Sequence, residues 1–197
     1  MNNVGDWLIS NKLTLNIDKS KYMIIHRKKN KISDEFSLAI NGSKLERCKQ
    51  YKYLGVFIDD KLTWKSHVQH ICTKIGRTCG ALAKLRYCLD MNSLKSVYYA
   101  LVYSHMQYCN LIWGDATETI LKPLHTLLNR IVRIMTFAPF QSSNPQQFYD
   151  EIEILNLKQI HILEKAKFMF KFKNKKLPSN FDGYFQEAGE HHNYNYK

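Results

Sequence analysis

The sequence predicts an α+β chain: a small, incomplete antiparallel sheet followed by a helical bundle. Three observations carry that expectation. Up to about residue 61 the apolar residues fall in short β-branched and aromatic runs separated by turn dipeptides. From Leu62 onward their spacing lengthens to the 3.6-residue period of a helix. With 45% hydrophobic and 23% charged residues, and only 8 Gly and 4 Pro in 197, the composition fits a folded chain rather than a disordered one.

At the start, Trp7-Leu8-Ile9 and Leu13-Leu15 read as the tail of a helix entering a turn at residues 16–20. Tyr22-Met23-Ile24-Ile25 is an apolar run short enough to be a buried strand, and His26-Arg27-Lys28-Lys29-Asn30-Lys31 follows as a basic loop. Asn41-Gly42 lies between Ser37-Leu38-Ala39-Ile40 and Ser43-Lys44-Leu45-Glu46. It is the dipeptide that most readily takes the two positive φ angles of a tight hairpin turn. Tyr51 to Ile58 reads as a further strand, with Gly55 marking a bend, a bulge or a close backbone approach.

The first long helix should bury Val68, Ile71, Ile75, Leu82 and Leu85, with Arg77 and Lys84 on its opposite side. Ser93 is a candidate cap for a second helix whose stripe is Leu94, Val97, Tyr98, Leu101 and His105, ended by a turn at Gly114-Asp115. A third helix turns Leu121, Leu124, Leu128, Ile131 and Met135 inward. Lys122, Asn129, Arg130 and Arg133 then face out, and Pro123 is expected in the first turn. Residues 138–145 form the clearest linker, Asn144 caps a short helix begun by Pro145, and Asn156 caps a last helix over residues 157–173. The end of the chain from Glu187 has no apolar period and reads as frayed. Three parts result, spanning residues 1–61, 62–140 and 141–197.

The 29 Lys and Arg against 17 Asp and Glu leave a net charge of +12, the electrostatic footprint of a protein that meets phosphates. The surplus is uneven: residues 1–61 hold 12 basic and 7 acidic groups, residues 62–140 hold 9 and 3, and residues 141–197 hold 8 and 7. No run approaches the roughly 18 apolar residues of a membrane span, the N-terminus has no signal-peptide pattern, and five cysteines give no even disulfide framework. An intracellular protein with reduced thiols, in cytoplasm or nucleus, is expected.

Candidate chemistry is sparse. Asp59-Asp60 is a pair of carboxylates after a hydrophobic strand, the kind of arrangement that holds magnesium, but a polar strand exit is the simpler reading. His67, His70 and Cys72 diverge around a helix and have no fourth partner at zinc-site spacing. His105 and Cys109 lie on or beside a core-like stripe, and no Gly-rich phosphate loop or nucleophile elbow occurs. Tyr53, Phe57 and Trp64 are expected in the core rather than as stacking platforms. The basic helical faces are more informative, because cations opposite an apolar stripe can follow a sugar-phosphate backbone without reading bases. Arg77, Lys84, Arg130 and Arg133 are the candidates.

Several segments, in order, resemble the region downstream of the catalytic Asp pair in reverse transcriptases of non-LTR retrotransposons. They are Trp7-Leu8-Ile9-Ser10-Asn11-Lys12-Leu13-Thr14-Leu15-Asn16 with Lys19-Ser20-Lys21, then Tyr51-Lys52-Tyr53-Leu54-Gly55-Val56-Phe57-Ile58-Asp59 with Leu62-Thr63-Trp64 and His67. Tyr98-Tyr99-Ala100-Leu101, Tyr108-Cys109-Asn110-Leu111-Ile112-Trp113-Gly114, and Leu124-His125 with Arg130, Arg133 and Ile134 complete the set.

The resemblance implies that residues 1–61 are a palm remnant, in which Lys19 takes the position of a lysine that handles the incoming nucleotide's phosphates. Tyr53, Leu54, Gly55 and Val56 would form a primer grip, where Gly55 lets the backbone approach the primer terminus. Residues 62–140 would be the thumb and residues 141–197 a helical C-terminal region. The implied partner is an RNA/DNA primer-template, held for RNA-directed DNA synthesis. The aromatic-x-Asp-Asp hairpin, the first metal-binding Asp and the fingers of such an enzyme do not occur in these 197 residues. The expectation is therefore a fragment, inactive alone, that binds no cofactor itself, with magnesium belonging to a complete polymerase. A non-enzymatic basic nucleic-acid-binding module and a helical protein-interaction domain stay open as alternatives.

Overall fold

The computed structural model describes residues 2–26, 36–139 and 144–185. The basic loop beyond His26, the centre of the linker after Pro139, and the chain end from Glu187 lie outside the described residues. The described part is α+β. Helix α1 (Asn2–Ser10) leads to a 3-10 turn at Ile17–Lys19, which the Asn16 side chain caps by accepting from Lys19 N. Six short strands follow: β1 (Lys21–Tyr22), β2 (Ala39–Ile40), β3 (Ser43–Lys44), β4 (Glu46–Arg47), β5 (Gln50–Tyr53) and β6 (Val56–Asp59).

These strands do not make the single antiparallel sheet expected from sequence. They pair as three separate two-stranded units: β1 with β4 in parallel, and β2 with β3 and β5 with β6 antiparallel. The Asn41-Gly42 hairpin forms as read, with φ of 48° and 78°. Of the expected apolar strand only Tyr22 enters a ladder, beside Lys21, while Ile25 is exposed. With two ladder residues and no second sheet face to cover it, the run has little to bury against.

The helical part is α2 (Lys65–Leu85), α3 (Met91–Tyr98), α4 (Ser104–Gln107), α5 (Asn110–Trp113), α6 (Glu118–Met135), α7 (Gln146–Glu151) and α8 (Leu157–Lys173). One contiguous core runs from Val68 to Ile160, centred on the packing of α2 against α6 and closed by Phe148, Tyr149 and Ile152. It continues across residue 140. The α2 and α6 stripes hold as expected, with Cys79 and Val132 added and Leu85 at the margin.

Four details differ. A π-helical turn at Tyr99–Tyr103 joins α3 to α4 and shifts the stripe by one residue, so Val102 and Met106 are buried and Leu101 is exposed. Asp90, not Ser93, caps α3, its carboxylate accepting from Ser93 N. Pro123 sits in the second turn of α6 rather than the first. Asn144 does accept from Gln146 N at 3.1 Å, but Pro145 is the cap residue and α7 begins after it. Helix α8 starts as read, with Asn156 and Gln159 completing a reciprocal capping box.

A buried polar bridge fastens α8 to the turn after α5. His161 Nδ1 lies 2.7 Å from Asn110 Oδ1 and its Nε2 lies 2.9 Å from Asp115 Oδ1, which also accepts from Lys165 Nζ. Gly114 is needed there because a side chain would run into His161 and Asn110. Among the described residues no helix is long and apolar enough to cross a membrane.

Candidate nucleic-acid interface

The segment Tyr51 to Ile58 is a hairpin, not one bent strand. Leu54 and Gly55, with φ of 45° and 86°, form the tip between β5 and β6, and Tyr53 pairs with Val56. Inside the fold Gly55 answers a conformational demand rather than a steric one. A Cβ there would meet only the Tyr108 ring at an ordinary 3.6 Å. Val56 is buried, whereas Tyr53 and Leu54 are 60% and 73% exposed, so Tyr53 is not the core residue expected. Phe57 and Trp64 are half-buried, and Trp64 packs on the helical core. The tip is tied to the helices by one bond, in which Tyr108 Oη donates to Leu54 O at 2.6 Å.

Lys19, far from this hairpin in sequence, lies beside it in space. Lys19, Lys21, Tyr51 and Tyr53 line a common hollow of about 490 Å³ with Met23 and Ile58 on its apolar side. Lys21 is engaged with Glu46 at 2.8 Å, which raises its pKa, while Lys19 is exposed and makes no ion pair among the described residues.

The Asp59 carboxylate is engaged in the turn after β6. Asp59 Oδ1 and Oδ2 both accept from Thr63 N, Oδ1 also from Lys61 N, and Oδ2 from Thr63 Oγ1 and Trp64 N. The carboxylate thus orders the turn that leads into α2, whose first residue, Lys65, donates its N–H to Thr63 Oγ1 at 3.4 Å. Burial works against its charge, but the Thr63, Trp64 and Lys61 donors prevail and hold its pKa below the usual carboxylate value. Asp60 lies 3.6 Å from His26 Nε2.

The four predicted cations divide into two places. Arg77 and Lys84 are exposed on the side of α2 away from the core. Arg130 and Arg133 line a cleft of about 300 Å³ between the ends of α2 and α6. Arg130 is exposed, but Arg133 is half-buried, and Asn129 accepts from Tyr149 Oη at 3.1 Å, so those two are not free outer-face residues as expected. The C-terminal segment covers that flank of α6.

Sequence reading overlooked the partners in this cleft. Arg86 joins the two arginines, its Nη1 donating to Ile134 O at 3.3 Å and its Nη2 to Tyr87 Oη at 2.6 Å. Its guanidinium carbon sits 4.7 Å from the Tyr87 ring centre and 4.4 Å from that of Phe137. The Arg86-Tyr87 dipeptide at the end of an apolar period was the available signal. Phe137 reaches it only because the chain turns at φ 55° just past α6.

The histidine and cysteine candidates do not converge. His67 is buried, His70 and Cys72 are half-buried, and burial pushes the Cys72 thiol up. No group of three or more metal-binding side chains occurs among the described residues. Cys109 is the αL residue that opens α5.

Comparison with curated proteins agrees with the family resemblance read from the sequence. The chain is related in sequence to RNA-directed DNA polymerases of non-LTR retrotransposons. It is 29% identical over 139 residues to the RNA-directed DNA polymerase from mobile element jockey of Drosophila funebris, covering 68% of this chain and 15% of that protein. It is 28% identical over 88 residues to the probable RNA-directed DNA polymerase from transposon X-element of Drosophila melanogaster, covering 43% of this chain and 10% of that protein. A 109-residue match to the probable polymerase from transposon BS of the same species is also 28% identical, covering 52% of this chain and 12% of that protein. The chain thus spans 10% to 15% of the length of these relatives. No protein-family model matches it, and no solved structure is significantly similar.

Proposed function

We propose that these 197 residues hold primer-template nucleic acid for RNA-directed DNA synthesis, as the palm end, primer grip and thumb of a retrotransposon polymerase. The observation that carries the reading is the exposed tip at Tyr53, Leu54 and Gly55, anchored by buried Val56, joined to the helices through Tyr108 and flanked by Lys19. A strand end laid on that tip meets the bare backbone of Gly55 between the exposed side chains of Tyr53 and Leu54, a cation for its phosphates, and the first helices of the bundle. The outer face of α2, with Arg77 and Lys84, then follows the duplex phosphates. Residues 62–140, with 9 basic and 3 acidic groups, set the field for that contact. Because the Asp59 oxygens are occupied by the turn before α2, the part taken by this segment is substrate holding rather than metal chemistry.

The test is affinity of the purified chain for one primer-template duplex across a salt series. Replacing Arg77→Ala and Lys84→Ala should weaken binding and flatten the log-log salt slope by about 2, since each lost phosphate contact accounts for roughly 0.9. The comparison is an equal charge loss at Lys28→Ala and Lys29→Ala, outside the described residues. Equal changes for both pairs would show a response to net charge alone. No duplex binding at all would favour a helical protein-interaction domain.

A further inference from the structure

We infer that the cleft between the ends of α2 and α6 binds an unpaired nucleotide, stacking its base on Tyr87 or Phe137 and holding its phosphate at Arg130. The inference rests on the primer-template reading and extends it to the single strand beyond a duplex end. Four observations carry it. First, three guanidinium groups, from Arg86, Arg130 and Arg133, and no carboxylate line a hollow of about 300 Å³, a space of nucleotide size. Second, Arg86 and Arg130 make no ion pair among the described residues, so their charge is unopposed locally.

Third, two aromatic rings stand at the rim with much of their surface open to solvent: Tyr87 is 71% and Phe137 55% exposed. Fourth, those rings are held. Their centres are 5.7 Å apart at an interplanar angle of 77°, and Arg86 lies over both while its Nη atoms are tied to Ile134 O and Tyr87 Oη. Arg86 is therefore the positioning residue of the pair and leaves phosphate contact to its neighbours.

The ring pair distinguishes the ligand. Phosphates of a duplex would be served by the arginines alone, because the faces of paired bases are covered by their stacked neighbours. Apart from the outer face of a terminal pair, only an unpaired base has a face to offer an exposed aromatic ring, and such stacking works for any base. An acidic peptide would satisfy the charges and leave the rings without a purpose.

Fluorescence anisotropy should compare a blunt duplex with the same duplex carrying a short single-stranded overhang. The unaltered chain is expected to bind the overhang form on the order of tenfold tighter, which is the scale of one or two stacked bases. Tyr87→Ala with Phe137→Ala should abolish that preference, whereas Tyr184→Ala, which removes another exposed tyrosine, should keep it. A second measurement needs no variant: 5-iodouridine placed in the overhang should photocrosslink to Tyr87 or Phe137. Blunt-duplex binding without any overhang preference, or crosslinks confined to other residues, would overturn the inference and leave primer-template holding intact. Polyglutamate displacing the overhang form as well as an oligonucleotide of equal charge would also overturn it. Failure to bind either nucleic acid would remove the primer-template reading and this inference together.

Discussion

His67 lies in the seam between hairpin and helices, with Nδ1 accepting from Phe57 N at 3.4 Å and the ring set edge-on to Trp113 at 5.6 Å. An accepting Nδ1 places the proton on Nε2, which is buried without a partner, so the fold accommodates the neutral ring. Burial, helped by the nearby His70, pushes the His67 pKa from 6.5 down to about 4. Below pH 6.5 the unfolded chain takes up a proton that the folded chain refuses, so stability falls as the pH drops from 6.5 towards 4, by up to about 3 kcal/mol. Asp59, Asp115 and Glu164 titrate in a lower window. Their pKa values are held below the ordinary 3.8 or 4.5 by hydrogen bonds, so their contribution is lost only as the pH falls below about 4. Melting temperature against pH should thus decline in two stages, and His67→Leu should flatten the upper stage alone. A profile that His67→Leu leaves unchanged would show that the ring is not the group responsible. Asp59 was legible in sequence as a polar strand exit, and its bonds to the turn before α2 agree with that reading. The special place of His67 was not legible, because its environment is made by Phe57 and Trp113, which come from two other elements.

At the scale of elements, periodicity was a good guide wherever one helix buries one stripe. Helices α2 and α6 carry their apolar residues as their spacing requires, and the α8 limits follow from Asn156 and Gln159. The helix from Met91 was misread halfway along, since a π turn changes the phase and a 3.6-residue template then selects Leu101 over Val102. Strand pairing was less legible still: β1 pairs with β4 across more than twenty residues, and two-residue ladders leave almost no pattern. The hairpin of β5 and β6 shows what local sequence omits. Its Leu54-Gly55 turn is written in residues with φ above zero, but its orientation depends on Tyr108, 54 residues away. Removing that hydroxyl with Tyr108→Phe should keep the helical core intact and free the tip. One partly exposed hydrogen bond contributes about 1 kcal/mol, so amide exchange in residues 52–57 should quicken severalfold with little change in melting temperature. Unchanged exchange there would mean that the β5–β6 ladder alone positions the tip.

For the whole molecule, apolar burial is divided as unevenly as charge. Before residue 61 only Ile40 and Val56 are buried hydrophobic residues among those described, whereas the contiguous core extends from Val68 to Ile160. Six strands of two to four residues, in three separate pairs, cannot shield their ladders from water in the way one wider sheet does. The helices should therefore open only with global unfolding, while the strands open by local steps of lower free energy. Native-state hydrogen exchange is expected to be fast in β1 to β5 and slowest around Ile75, Leu82, Leu128 and Ile131. Residue 57, whose amide meets His67, should behave as the border between the two regimes, since it is secured from the helical side. In denaturant the strand amides should exchange with little dependence on concentration, and the α2 and α6 amides with the full dependence of global unfolding. The proposed primer-template surface would gain from this division, because the hairpin would adjust to a strand end while the rigid bundle fixed where the duplex lay. Equal, slow exchange in strands and helices would show a single cooperative unit, and the proposal of an adjustable grip on a rigid thumb would then have no basis in the stability of this fold.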